Sequence, residues 1–413
     1  MASLQILATP TGIVTVRAQP WRLWMRFLMR THLRDYTPGK QHHEKRRHRK
    51  YEAKSMFSLT IGRIHWKIHE SSNPLENHIL MPHSLFNEVP EDKLKHIIDA
   101  QQLHTAYRAA FQEAKRYQGR LNWESANGTE YLVSTRYDYG VRQRKSLGPR
   151  SDHTEEILRF HTERSAACRK LLEALTAKLE KQVKINRALR LGNVPPPVTK
   201  VLAQIENAGL ARKIMTIGTN AMYAYACAAS VTFADSIMAT QDLDLLWDSR
   251  SKLRIASPDP KGLLGVIQRG DPSFMKIEGK PFTLVNNEGY QVDLIKRDEG
   301  YQHSEPGQIW ANEEDFWAVK VHNMDWLLSA PRFEQIVIST NGGMATMTTV
   351  DPRAFGLFKV WLSEQKTRDA AKRRRDSAQA TAIFRLIEEW LPQLSFEDIK
   401  TIPERIRVRA RDI

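Results

Sequence analysis

The chain has 413 residues, 41% of them hydrophobic, and a net charge of +15, a length that suits two or three domains with ordinary cores. This excludes a small disulfide-stapled scaffold, and no apolar run approaches the eighteen or so residues of a membrane span, so a soluble protein with no membrane partner is expected. The two cysteines, Cys168 and Cys227, fall far apart in helix-like segments, which points to structural thiols and a reducing, cytoplasmic compartment.

The charge is uneven: residues 1–80 hold 14 Lys and Arg against 5 Asp and Glu, or +9 of the +15. Before the first acid, Asp35, come Arg17, Arg22, Arg26, Arg30 and Arg34 at a spacing of about four, which resembles an organelle transit peptide. The favoured alternative is a true start at Met56 or Met81, with residues 1–80 a disordered or mis-assigned basic extension. The run His42–Lys54 (HHEKRRHRKYEAK) suits nucleic-acid phosphates and, equally, a disordered tail.

Residues 81–195 read as a helical region with a small sheet inside it. Glu88–Arg120 predicts a helix, opened by Pro90 and stopped at Gly119. Residues 121–150 alternate around the turns Asn127-Gly128 and Asp138-Tyr139-Gly140 and predict an antiparallel meander. Its Trp123, Tyr131, Arg136, Tyr137, Arg142, Arg144 and Lys145 suit a nucleic-acid face or a plain half-buried sheet. A long charged helix over 151–191 precedes Gly192 and the triple proline Pro195–Pro197, taken as the main domain boundary.

The core is expected over residues 196–330. A helix over 198–213 leads into the strand KIMTIG, the helix TNAMYAYACAAS and the strand QDLDLLW; PFTLV and YQVDLIKR flank the turn NNEG as a hairpin. Past Trp326 the chain is read as returning to helix, in a C-terminal helical region over 331–413. There Asp351-Pro352 caps PRAFGLFKVWLSEQ, and a second helix runs over 367–391. The four cations Lys372 to Arg375 cannot all be buried, so some must face solvent or phosphate.

The chemistry concentrates in three aspartates. Asp242 and Asp244 flank Leu243, so in a strand both carboxylates leave one face, and Asp293 sits likewise between Val292 and Leu294. An acid pair spaced by one residue is common in a chain with 47 acids. The sequence strand, glycine turn, helix, acid pair on an apolar strand and lone acid on a hairpin strand is far more specific. Carboxylates on such strands lose solvation unless a cation or partner offsets it, and hard divalent cations favour few carboxylates with open positions for water and phosphate oxygens.

Gly218, Thr219, Asp242, Asp244 and Asp293 resemble the signature of the polymerase-beta-like nucleotidyltransferase superfamily. More narrowly, GTNAMYAY, ATQDLDLLWDSR, GYQVDLIKR, FKVWLSEQKTRDAAKRRRDSAQA and the upstream YLVSTRYDYGVRQRKSLGPRSDHTEEILRF resemble a bacterial family of uncharacterised nucleotidyltransferase-fold proteins, over Met81 to Leu391. Thr219 stands where the superfamily usually has serine or glycine, and the 24 positions from Gly218 to Asp242 exceed those of minimal members.

The resemblance implies an α+β fold: a nucleotidyltransferase core with a small mixed sheet and helices, preceded by a helical and β-meander region and followed by a helical one. It implies nucleotidyl transfer from an NTP with two Mg²⁺ or Mn²⁺ ions. Asp242 and Asp244 would hold both metals, and Asp293 the catalytic one. Gly218, Thr219 and Asn220 would meet the nucleotide, and Lys359, Lys372 and Arg375 its phosphates, with Lys372, Asp376 and Gln379 on one helical face. The acceptor stays open between an RNA 3′ end, a protein and a small molecule, with a toxin or phage-defence role as a variant. Two rivals remain: a non-catalytic nucleic-acid-binding protein on the same scaffold, and a glycosyltransferase, which would need a βαβ unit before Lys213 where helix and meander are read instead.

Overall fold

The computed structural model describes residues 58–61, 64–67, 85–138, 141–250, 261–298, 315 and 317–409. The chain divides into two compact units, Met1–Ile79 and Leu80–Ile413. In the first, β1 (Ser58–Ile61) and β2 (Ile64–Lys67) pair antiparallel. The arginine stripe, the His42–Lys54 run and the candidate starts Met56 and Met81 lie outside the described residues.

In the second unit, β3 (Phe86–Glu88) pairs with β8 (Val231–Phe233), and α1 (Glu91–Arg116) packs along α2 (Asp152–Ala188). Between these helices lies the expected meander: β4 (Arg120–Ala126), β5 (Thr129–Asp138) and β6 (Val141–Pro149). Asn127 and Gly128 both take positive φ, 51° and 77°, as a two-residue hairpin turn requires. The turn residues Tyr139 and Gly140 lie outside the described residues.

Pro195 is extended, and Pro196 and Pro197 follow it inside a helix rather than outside one. These two form the first turn of α3 (Pro196–Asn207), where a missing N–H costs nothing and the fixed φ favours the helix. The helix ends six residues before the expected Lys213, with Gly209 at φ +76° behind it.

Among the described residues the main sheet has eight strands. Along its path run β10 (Met275–Ile277), β11 (Lys280–Val285), β12 (Gln291–Arg297), β9 (Asp242–Trp247), β7 (Ile214–Ile217), β15 (Met344–Val350) and β14 (Arg332–Ile338), with β13 (Val319–Val321) beside β12. β9 is parallel to β12 and antiparallel to β7, so the sheet is mixed. β14 and β15 overturn the reading of helix throughout the C-terminal region. The turn Asn341-Gly342-Gly343, with Gly342 at φ +88°, joins two alternating segments and marks the hairpin.

Each face of this sheet carries its own core. On one, α3 and α6 (Gly262–Gln268) bury Leu243, Leu245, Val292 and Leu294. On the other, α4 (Met222–Ala228), α8 (Pro352–Ser363) and α9 (Ala370–Trp390) cover Met215, Ile217 and Leu246. The short α5 (Asp235–Met238) precedes β9, and α7 (Met324–Ser329) and α10 (Glu404–Arg409) complete the unit. Asp351 caps α8 by accepting from the Arg353 amide at 2.9 Å, and Asp369 caps α9. Among the described residues no helix is long and apolar enough to cross a membrane, and both cysteines are free thiols.

Candidate active site

The pleat of β9 divides its side chains. Leu243 and Leu245 are buried against α3 and α6, while Asp242 and Asp244 emerge half-buried on the opposite face. In the parallel register between β9 and β12, Asp293 stands directly beside Asp244, on the same face. Ligand oxygens of the three carboxylates lie within 4.8 Å of one another. Burial pushes the Asp244 carboxyl up to about 7, and the neighbouring charges of Asp242 and Asp293 push the same way. The Asp293 carboxyl is also raised, by burial first, against a hydrogen bond from Thr283.

Gly218 has a reason to be glycine on two counts. Its φ of 67° and ψ of −160° belong to a region that side chains essentially do not occupy. A Cβ there would also stand 1.9 Å from Asp244 Oδ2. The Ile217–Asp244 pairing between β7 and β9 brings the two together. Thr219 and Asn220 follow, both buried, in the 3₁₀ turn Thr219–Ala221. The Asn220 amide donates to the Asp242 carbonyl, and Tyr290 Oη donates to Asn220 Oδ1 at 3.5 Å. The Thr219 hydroxyl accepts from Gln379 Nε2 at 3.0 Å.

The helices α8 and α9 bring cations to this face. Lys359 is buried, and its Nζ meets Asp376 Oδ1 at 2.8 Å above the Phe355 ring. Asp376 is fully buried and takes a second cation, Arg368, at 2.5 Å. Burial lowers the Lys359 ammonium, against the pull of Asp376 and of Asp244. Lys359 is therefore neither a solvated helix lysine nor a free hand for a ligand: it is held by Asp376. Arg375 donates to the Ala239 carbonyl at 3.3 Å and draws the Asp244 carboxyl down, while Lys372, exposed in the first turn of α9, does so at Asp293.

The structure thus gathers all nine residues singled out from the sequence around one strand end and the helices above it, and adds others. Thr283 donates to Asp293 Oδ1 at 2.6 Å, and Lys280 on the same strand also acts on that carboxyl. Thr240 hydrogen-bonds the Asp242 carboxylate. Counting back from the turn Asn286–Gly289 pairs Thr283 with Asp293, so this contact had a signal. The Gln379 contact had none, because it joins residues 160 apart in the chain.

The donor set fits a hard divalent cation. It offers acidic oxygens on one face, at ligand spacing, with the Asp244 carboxylate seated against Gly218, where no Cβ displaces it, and with mutual repulsion that a cation would relieve. Comparison with curated proteins and with solved structures gives no match. Residues 197–402 match the model of a protein family described as Nucleotidyltransferase, a span that holds the acidic cluster and the cations of α8 and α9 but not α1, the meander or α2. Through this span the chain belongs to a nucleotidyltransferase family, with the NTP substrate that membership implies.

Proposed function

We propose that the protein transfers a nucleoside monophosphate from an NTP to an acceptor hydroxyl, breaking the bond between the α- and β-phosphates and releasing pyrophosphate, with Asp242, Asp244 and Asp293 holding two Mg²⁺ or Mn²⁺ ions. The observation that carries this reading is the convergence of the three carboxylates to within 4.8 Å directly behind Gly218. When bound, such ions neutralise charge on the attacking and leaving oxygens of an in-line displacement. Asp242 and Asp244 would hold both ions. Asp293, fixed by Thr283, would hold the catalytic one and help draw the proton from the acceptor hydroxyl.

The rest of the site places and neutralises the triphosphate. Gly218 seats the Asp244 carboxylate against the backbone, and next to it the Thr219 hydroxyl donates to a phosphate. Arg375 and Lys372 add positive charge from α9, and Lys359, held by Asp376, adds it from beneath. Asn220 ties the turn to the start of β9, next to the metal ligands.

An RNA 3′ end is the acceptor that best suits the meander. Arg120, Arg142 and Arg144 share one of its faces with Tyr131 and Tyr137, as the cross-strand pairs of Thr135 with Arg120 and Arg144, and of Tyr137 with Arg142, require. Tyr137 is 61% exposed. Cations interleaved with aromatic rings suit a single strand.

The test is incubation with each α-³²P-labelled NTP, Mg²⁺ or Mn²⁺ and total RNA, resolved on a denaturing gel beside Asp242→Ala. Label entering RNA or the protein only with the unmutated chain supports transfer and identifies nucleotide and acceptor together. No transfer with any nucleotide, alongside undiminished RNA binding by the variant, would turn the reading to a binding scaffold.

A further inference from the structure

Gln379 is completely buried on the α9 face that covers the acidic cluster. Its Nε2 donates to Thr219 Oγ1 at 3.0 Å and to the Ile237 carbonyl at 2.9 Å. Its Oε1 has no partner among the described residues. Amide oxygen and nitrogen are alike in shape, but their places here are not interchangeable. A carbonyl oxygen only accepts, so the group facing Ile237 must be the NH₂. The same NH₂ faces Thr219, which fixes the direction of the second bond as well.

The Thr219 hydroxyl therefore accepts from Gln379, and its own proton has no acceptor among the described residues. Thr219 follows Gly218, which packs directly against the Asp244 carboxylate, so Thr219 stands one residue from the acidic cluster. A hydroxyl with one lone pair engaged and its proton uncommitted suits a ligand atom that only accepts. An ionised phosphate oxygen is such an atom; a hydroxyl, amine or amide N–H is not. α9 grips the Ile237–Ala239 segment twice, through Gln379 and through Arg375 at the Ala239 carbonyl. The amide cannot turn over without facing two carbonyl oxygens at each other.

We propose that Gln379 is a positioning residue that sets the polarity of the Thr219 hydroxyl, making it a donor to a phosphate oxygen of the bound nucleotide. This rests on the nucleotidyl-transfer reading and adds to it a residue that touches neither nucleotide nor metal. Gln379→Glu would invert the arrangement, because an ionised carboxylate captures the Thr219 proton.

The experiment is calorimetric titration of each Mg²⁺–NTP into the full chain and into Thr219→Val, Thr219→Ser, Gln379→Leu, Gln379→Glu and the Thr219→Val/Gln379→Leu pair, with melting curves for each. Expected are losses of affinity of about tenfold for Thr219→Val and for Gln379→Leu, near-normal binding for Thr219→Ser, and a larger loss for Gln379→Glu. The pair should bind no more weakly than Thr219→Val alone, because Gln379 acts through that hydroxyl. Losses that multiply in the pair, or normal binding by Gln379→Leu, would overturn the inference while leaving nucleotide binding intact. Should Gln379→Leu fail to fold, equal affinities of Thr219→Val and Thr219→Ser would overturn it. Absence of NTP binding by the unmutated chain would instead overturn the nucleotidyl-transfer reading.

Discussion

Replacing Gly218 with alanine probes the site with a single methyl group. The backbone there, φ 67° and ψ −160°, costs a side chain about 1–3 kcal/mol. The added Cβ would lie 1.9 Å from Asp244 Oδ2, whereas real Cβ contacts do not fall below 3.0 Å, so the carboxylate must retreat by more than about 1 Å. A misplacement of that size costs on the order of 100-fold in rate. Gly218→Ala should therefore melt a few degrees lower, lose most of its stabilisation by Mg²⁺, and transfer label about 100-fold more slowly. Gly209→Ala is the control: φ is +76° but nothing lies within 4 Å of its Cβ, so it should lose stability and keep the Mg²⁺ response. A Gly218→Ala protein with unmutated activity and Mg²⁺ response would refute the reasoning.

Three further outcomes follow from the same geometry. Asp244→Asn removes one of three mutually repelling acids, so the metal-free protein should gain about 1 kcal/mol in urea denaturation while Mg²⁺ no longer raises its melting temperature. Asp376→Ala strips the buried Lys359 of its counter-charge and Arg368 of a partner, and should cost about 3–5 kcal/mol by the same denaturation; a loss below about 1 kcal/mol would show that Lys359 reaches water. The Asp244 carboxyl, raised by burial from 3.8 to about 7, makes folding bind a proton, so metal-free stability should be highest in acid and fall as pH rises from about 4 through about 7. Melting curves from pH 5 to pH 8 should show this decline, with Mg²⁺ most stabilising at pH 8, where it no longer competes with protons; a Mg²⁺ effect that is greatest at pH 5 would contradict it.

The acidic cluster was legible because strand geometry is local. Alternation placed Asp242 and Asp244 on one face, and the turn Asn286–Gly289 identified β12 as the strand that carries Asp293. What the sequence could not supply was the order of strands, which sets Asp293 beside Asp244 rather than elsewhere in the sheet. The contacts of Lys359 with Asp376 and of Gln379 with Thr219 depend on how α8 and α9 dock, and no spacing encodes that docking. Lys359 illustrates the consequence: helical periodicity offers a solvated lysine or a phosphate ligand, whereas a carboxylate on the next helix makes it a buried ion pair. At Pro196, Pro197 and the strands β14 and β15 the structure departs from the sequence expectation for local reasons. Proline opens helices as readily as it ends them, and Asn341-Gly342-Gly343 is a turn signal between two alternating segments in a region otherwise rich in helix formers.

On the proposed mechanism the three aspartates hold the metal at which the nucleotide reacts. This is tested most directly by crystals grown with Mn²⁺ and a non-hydrolysable NTP analogue, with data collected at the manganese absorption edge. Anomalous peaks are expected within coordination distance of Asp242, Asp244 and Asp293, with the analogue's phosphates beside Gly218 and Thr219. Manganese and analogue bound elsewhere, with no peak between the three carboxylates, would contradict it.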